Sequence, residues 1–365
     1  MLPALARFPA GLALMTLVLV SPAVPLPAAS TPKKWKADRN APLVKVDEFR
    51  LRTARQGAAA VSLGDYIYVF GGSNWAATAS TIERIDPAAR RVEMLQLKPL
   101  TRAFHAALPY NGRIYLFGGQ ETAVDYRDEV QERFPGQPNR SGLDLVPIVT
   151  LKLTSNARAQ TRVEVFNPEA LTLAPLFSMP FARAGMAATV IGHAAYFAGG
   201  TEFGRVSPGQ SPRNDVYDFT TGEWSTALAM LHPRECPAVT VDRLMVVAGG
   251  RQNDRGLTAV EIFDPGARAW KFLPALPRPV AGHSLARLGR WLFLFGGYDS
   301  PGRVIAYDLV HRTAEEFNAG LSPATHSTAV THGDRIYIIG GKPHSEENEL
   351  DLIQVFALNP DHPPE

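Results

Sequence analysis

The chain has 365 residues, 45% of them hydrophobic and 20% charged, a balance that can bury a sizeable core. A formal net charge of +2 at pH 7 argues against a nucleic-acid or membrane-surface role. Cys236 is the single cysteine, so no intramolecular disulfide can form.

The first 30 residues pass from one arginine, Arg7, through an apolar run from Ala10 to Val20, to small residues and prolines. That order predicts a secretory signal peptide over 1–30, and the run is too short for a comfortable membrane span. The expected location is therefore periplasmic or secreted, with no membrane span after cleavage. Residues 31–42 read as a linker and hold the one basic cluster, Lys33-Lys34-Trp35-Lys36.

A strand-like segment, LVKVDEF (43–49), comes next, and then a pattern begins to repeat. Apolar runs end in paired glycines at Gly71-Gly72, Gly118-Gly119, Gly199-Gly200, Gly249-Gly250, Gly296-Gly297 and Gly340-Gly341. Subtracting the first glycine numbers gives spacings of 47, 81, 50, 47 and 44 residues. Each pair is preceded by one more short strand, such as HAALPY (105–110). It is followed by a third strand that runs into a turn, such as TIERIDP (81–87), RVEVFNP (162–168) or AVEIFDP (259–265). Asx-Pro suits that turn, because proline presets φ and the Asx side chain bonds its own backbone. A large apolar residue recurs seven positions on, as in Tyr217 to Trp224, Phe263 to Trp270, Phe166 to Leu173 and Ile85 to Val92. It belongs to a fourth strand, such as WKFLPAL (270–276).

Four short strands per unit, repeated radially, predict the blade of a β-propeller. The six units from about residue 43 to 359 resemble the kelch family, whose period is roughly 50 residues. The Tyr…Trp pair of a kelch blade is intact in blade 3, becomes Phe…Trp in blade 4 and is replaced elsewhere, with Ala314 as a small filler in blade 5. The expected fold is all-β: a six-bladed kelch propeller over 43–360, with a short tail at 361–365. The C-terminus supplies three strands of blade 6, and segment 43–49 is expected to complete that blade and close the ring.

The 81-residue spacing places an insertion at about 120–160, between the second and third strands of blade 2. Tyr126, Val130 and Phe134 make a helical stripe there, residues 143–153 look strand-like, and NRS (139–141) is a glycosylation sequon. Such an element at the ring's mouth is expected to act as a lid or partner-docking piece.

Strand direction alternates within a blade, so the glycine pairs and the approaches to each first strand share one face. The approaches supply Arg55, Arg102, His105, Arg183, Arg234, Cys236, Arg278, His283 and His326. The loops after the glycines add Trp75, Glu202, Arg205, Arg213, Arg251, Tyr298 and His344, among others. The three histidines and five arginines of the approaches are the candidate ligand-binding set. Guanidinium forks suit a carboxylate, a sulfate or an acidic loop. The alternative for arginine and histidine at these places is a structural bond to neighbouring backbone carbonyls.

Two further resemblances bear on activity. ECPAVTVDRLMVVAGG (235–250) is similar to the segment that carries the cross-linked cysteine in the propeller of galactose oxidase. The tyrosine that family cross-links is replaced here by His283, and its Tyr-His copper pair is absent, so copper-radical chemistry is not expected. GGTEFGRVSPGQSPRNDVYDF (199–219) resembles the site segment of N-acetylneuraminate mutarotases among exported bacterial kelch proteins. That resemblance implies Glu202 as a proton shuttle and Arg213 as the carboxylate clamp. The leading expectation is an exported binding or interaction protein that recognises a glycan, an acidic ligand or a protein partner on the face of the Gly-Gly loops; the alternative is a sugar-acid mutarotase. No metal or cofactor is expected, and the propeller is expected to be monomeric.

Overall fold

The computed structural model describes residues 37–361, except 39, 75–80, 98–99, 122–158, 204–207 and 344–347. The signal-peptide region, the basic cluster, the expected lid at 124–153, and Trp75, Arg205 and His344 all lie outside the described residues.

Within the described residues the chain forms six four-stranded antiparallel sheets. Each begins with a hairpin, because a two-residue turn with positive φ matches the twist of the flanking strands. Asn111-Gly112, at φ 45° and 68°, joins Ala106–Tyr110 to Arg113–Phe117 in this way. Asx side chains shape the turn between third and fourth strands. Asp264 Oδ1, for example, accepts from the N–H groups of Gly266 (2.9 Å) and Ala267 (3.0 Å).

The large residues seven positions apart are direct cross-strand partners: Tyr217 with Trp224, Phe263 with Trp270, Phe166 with Leu173 and Ile85 with Val92. In blades 3 and 4 the paired rings lie 5.1 Å apart, a tilted contact suited to aromatic quadrupoles. The sheets pack face to face around the ring, so the core is divided into six clusters between neighbouring blades. First strands touch in the order of the chain, and Ala59–Leu63 of blade 1 also touches Thr328–His332 of blade 6.

The last sheet draws on both ends of the domain. Leu43–Arg50 lies antiparallel to Leu352–Leu358, with Leu43 opposite Leu358 and Arg50 opposite Leu352. Lys45 is buried in this seam, and its Nζ donates to Gln354 Oε1 at 2.9 Å and to Glu48 Oε2 at 2.5 Å.

Candidate functional site

The glycine pairs sit where one blade meets the next. A Cβ on Gly71 (φ 56°) would stand 2.3 Å from the Arg102 carbonyl oxygen, so only glycine permits the approach. The N–H of Gly72 then donates to that same oxygen at 2.9 Å. The contact repeats at Gly119 to Arg183, Gly200 to Arg234, Gly250 to Val280 and Gly341 to Arg55, the last linking blade 6 to blade 1.

Four of the predicted ligand-binding arginines are fully buried. Arg55, Arg102, Arg183 and Arg234 have no exposed surface. Each donates through Nη1 to the first glycine's carbonyl in its own blade, at 2.8, 3.1, 3.0 and 2.8 Å respectively. Each also donates through Nη2 to a carboxylate on the third strand: Glu83, Glu164, Asp215 and Glu261. Burial lowers the Arg102 pKa to about 10, opposed by the neighbouring Glu164. These guanidinium groups are occupied and neutralised inside the blades, which removes them from the ligand-binding set. Arg278 stands two residues before the aligned position, which Val280 fills. Its Nε donates to Glu316, a carboxylate shared with Arg303 Nε at 3.1 Å.

The three histidines divide. His283 is buried, its Nε2 lies 3.0 Å from the Ala248 carbonyl, and burial lowers its pKa to about 4. His105 is buried at the equivalent place in blade 2, with neither ring nitrogen hydrogen-bonded. Both border the axial cavity, but as parts of its wall. His326 is different: it reaches the mouth, in the left-handed region at φ 54°.

That mouth opens on a cavity of about 390 Å³ along the axis, bordered by the first strands of the blades and the segments that lead into them. His326 Nε2 lies 2.6 Å from the Tyr298 hydroxyl, and its ring meets Phe104 edge-on at 5.2 Å. Phe104, His326 and Tyr298 thus form an aromatic arc. Burial lowers His326 to about 4, so at neutral pH the arc is uncharged. Beside it is an ion pair, Arg251 to Glu235 at 2.7 Å, with Glu235 also accepting from Thr201 Oγ1. Arg251 interacts electrostatically with both Tyr298 and His326, which places the pair and the arc in one cluster. Arg251 and Tyr298 were legible as face residues; Phe104 and Glu235 were not.

Glu202 and Arg213, the pair implied by the mutarotase resemblance, are each engaged elsewhere. Glu202 Oε1 accepts from Ser211 Oγ at 2.6 Å. Arg213 Nη2 pairs with Asp215 Oδ1 at 2.8 Å, and its guanidinium covers the Phe181 ring at 3.5 Å. Among the described residues, no three His, Cys, Asp or Glu side chains gather as a metal site.

Six radial blades around an axial cavity define a β-propeller. The Kelch motif family matches residues 54–95 and 232–277, which are blades 1 and 4. Kelch-like protein 36 of Mus musculus is 29% identical over 195 residues, covering 50% of this chain and 31% of its own. Beta-scruin of Limulus polyphemus is 26% identical over 318 residues, 80% of this chain and 31% of its own. Kelch domain-containing protein 3 of Rattus norvegicus is 24% identical over 341 residues, covering 84% of this chain and 83% of its own. The chain spans about a third of the length of the first curated relatives it matches. It is a β-propeller that carries the Kelch motif in blades 1 and 4.

Proposed function

We propose that this protein is a binding and interaction module whose recognition site is the mouth of the axial cavity. One observation carries the reading: the aromatic arc Phe104–His326–Tyr298 and the neighbouring Glu235–Arg251 pair border one opening. Ligand sites combine apolar surface with a few placed polar groups, and this opening has both. The ring faces suit the apolar side of a sugar or of a peptide side chain, while the paired charges offer donors and acceptors without net charge. The similarity to kelch-repeat proteins supports a binding role.

A glycan or an exposed protein segment fits this chemistry better than an acidic small molecule. The arginines that favoured an acidic ligand are neutralised within the blades, and Arg251 already holds Glu235. The mutarotase alternative rests on sequence resemblance alone, since Glu202 and Arg213 are bonded to different partners. Export is proposed from the leading segment, which orders as a signal peptide.

The test screens the purified full chain against glycans and candidate protein partners, beside Tyr298→Ala and Arg251→Ala. Loss of binding in both folded variants is the expected result. Equal binding by all three proteins would move the site elsewhere.

A further inference from the structure

The mouth has a second feature, in its backbone. Two residues beyond each aligned Arg, Val or Ala stand Gly57, Phe104, Gly185, Cys236, Gly282 and His326, one per blade. Five of them take positive φ, between 54° and 67°. In that conformation their peptide groups bond from blade to blade. Gly185 N–H donates to the Phe104 carbonyl at 2.8 Å, Phe104 to Gly57 at 2.7 Å, Gly57 to His326 at 2.9 Å, and His326 to Gly282 at 2.9 Å.

Blade 4 breaks the circle. Cys236 precedes Pro237, whose ring biases the residue before it toward extended backbone. Cys236 is absent from the positive-φ residues, and no backbone bond joins it to Gly185 or to Gly282. By the repeat, the Gly282 N–H faces blade 4 from one side and the Gly185 carbonyl faces it from the other. Among the described residues a donor and an acceptor without partners therefore flank one gap, and Gly185, Cys236 and Gly282 all border the axial cavity. Glu235 covers Gly185 and the Tyr298 ring covers Gly282, so the gap lies in the sector of the polar cluster.

We infer that the ligand binds this gap through a secondary amide, whose carbonyl accepts from Gly282 N–H and whose N–H donates to the Gly185 carbonyl. The inference rests on the mouth being the recognition site and adds which chemical group is read there. A secondary amide presents one donor and one acceptor on opposite edges, which is what the broken circle lacks. Both groups border the cavity, and a ligand that closes over them must satisfy them or leave them unmade at a cost, so one that completes them gains over one that cannot. An N-acetylated amino sugar and an extended peptide both carry the group.

The experiment follows backbone amide resonances of the full chain while four probes are titrated. Chitobiose is compared with cellobiose, which has a hydroxyl in place of each acetamido group. Tetra-alanine is compared with its counterpart carrying a central ester. In at least one pair the amide member is expected to bind about tenfold more tightly or better, and to shift the Gly282 resonance. Discrimination in the first pair alone assigns an amino sugar; in the second alone, a peptide. Cys236→Gly combined with Pro237→Ala restores a residue able to take positive φ, and is expected to abolish that preference. Equal binding within both pairs, with shifts at Tyr298 and Arg251, would overturn the amide inference while the mouth reading stands. A preference that persists in the double variant would overturn the placement at blade 4. Shifts at the mouth with none of the probes would overturn both readings.

Discussion

Val280 and Ile305 occupy in blade 5 the places that Arg234 and Glu261 hold in blade 4. Ile305 pairs with Leu294 as Glu261 pairs with Val247, and Val280 joins Ile305 in one apolar cluster. Both charges are lost together. Blade 6 solves the same problem differently, with Ala324 in the arginine's place and Gln354 in the carboxylate's, where it accepts from Lys45. A buried charge left without its partner is far more costly than an apolar pair of similar size.

This relationship can be tested in blade 2. Arg102→Val alone leaves the buried Glu164 carboxylate with the half-exposed Arg162 at 3.7 Å in place of its close partner, and is expected to cost about 3 kcal/mol. Adding Glu164→Ile, which copies blade 5, should recover much of that loss. Urea unfolding of the single and double variants measures the coupling; additive losses would mean the pair does not act as a unit.

The buried histidines set a pH dependence. The folded-state pKa of His283 is lowered by burial from 6.5 to about 4, so the unfolded chain binds its proton first as pH falls. Stability is then full above pH 6.5 and declines between about 6.5 and 4, by roughly 3 kcal/mol for this residue. His105 shifts in the same direction and adds to the decline. Unfolding measured across that window should show a shallower slope in a folded His283→Gln variant.

Cys236 should be inert in the native protein. It is buried, and desolvation pushes its thiol up to about 11, leaving almost no thiolate at pH 8. A colourless-to-yellow thiol titration should detect it only after denaturant is added. Rapid labelling of the folded chain would show that the cavity opens further than described.

The propeller was legible because its signals are local and repeat: a glycine pair, a turn, and a large residue seven positions on. The arginines were misread because their partners are far apart in sequence and unevenly spaced. Arg55 and Glu83 are 28 residues apart, whereas Arg102 and Glu164 are 62 apart across the insertion. A signal was present all the same. Glu83, Glu164, Asp215 and Glu261 each hold the same place in a third strand, and that acid is missing where the arginine is missing. Glu235 and Phe104 were beyond reach because the mouth gathers single residues from different blades. The likeness of Cys236-Pro237 to the galactose oxidase segment carries no hint of its conformational consequence, which shows only beside the positive φ of the equivalent residues in the other blades.

Removing residues 43–50 should damage the whole domain. The deletion strips the outer strand from blade 6, removes Leu43 from the buried cluster that holds Phe356, and takes Lys45 from Gln354. A melting temperature lower by about 10 °C or more is the expected outcome, read by circular dichroism. An unchanged melting curve would show that the remaining three strands suffice.

The pairing of Leu43 with Leu358 also orders events in time. During synthesis the first strand leaves the ribosome long before its partner exists. Blades 1 to 5 can hold their own hairpins while this strand waits with an unsatisfied edge. Contacts so distant along the chain are slow to form, because the intervening segment must first be ordered. Pairing of this strand is therefore expected to come late in folding, and the interval before it is when a nascent chain is most exposed to pairing with another copy of itself.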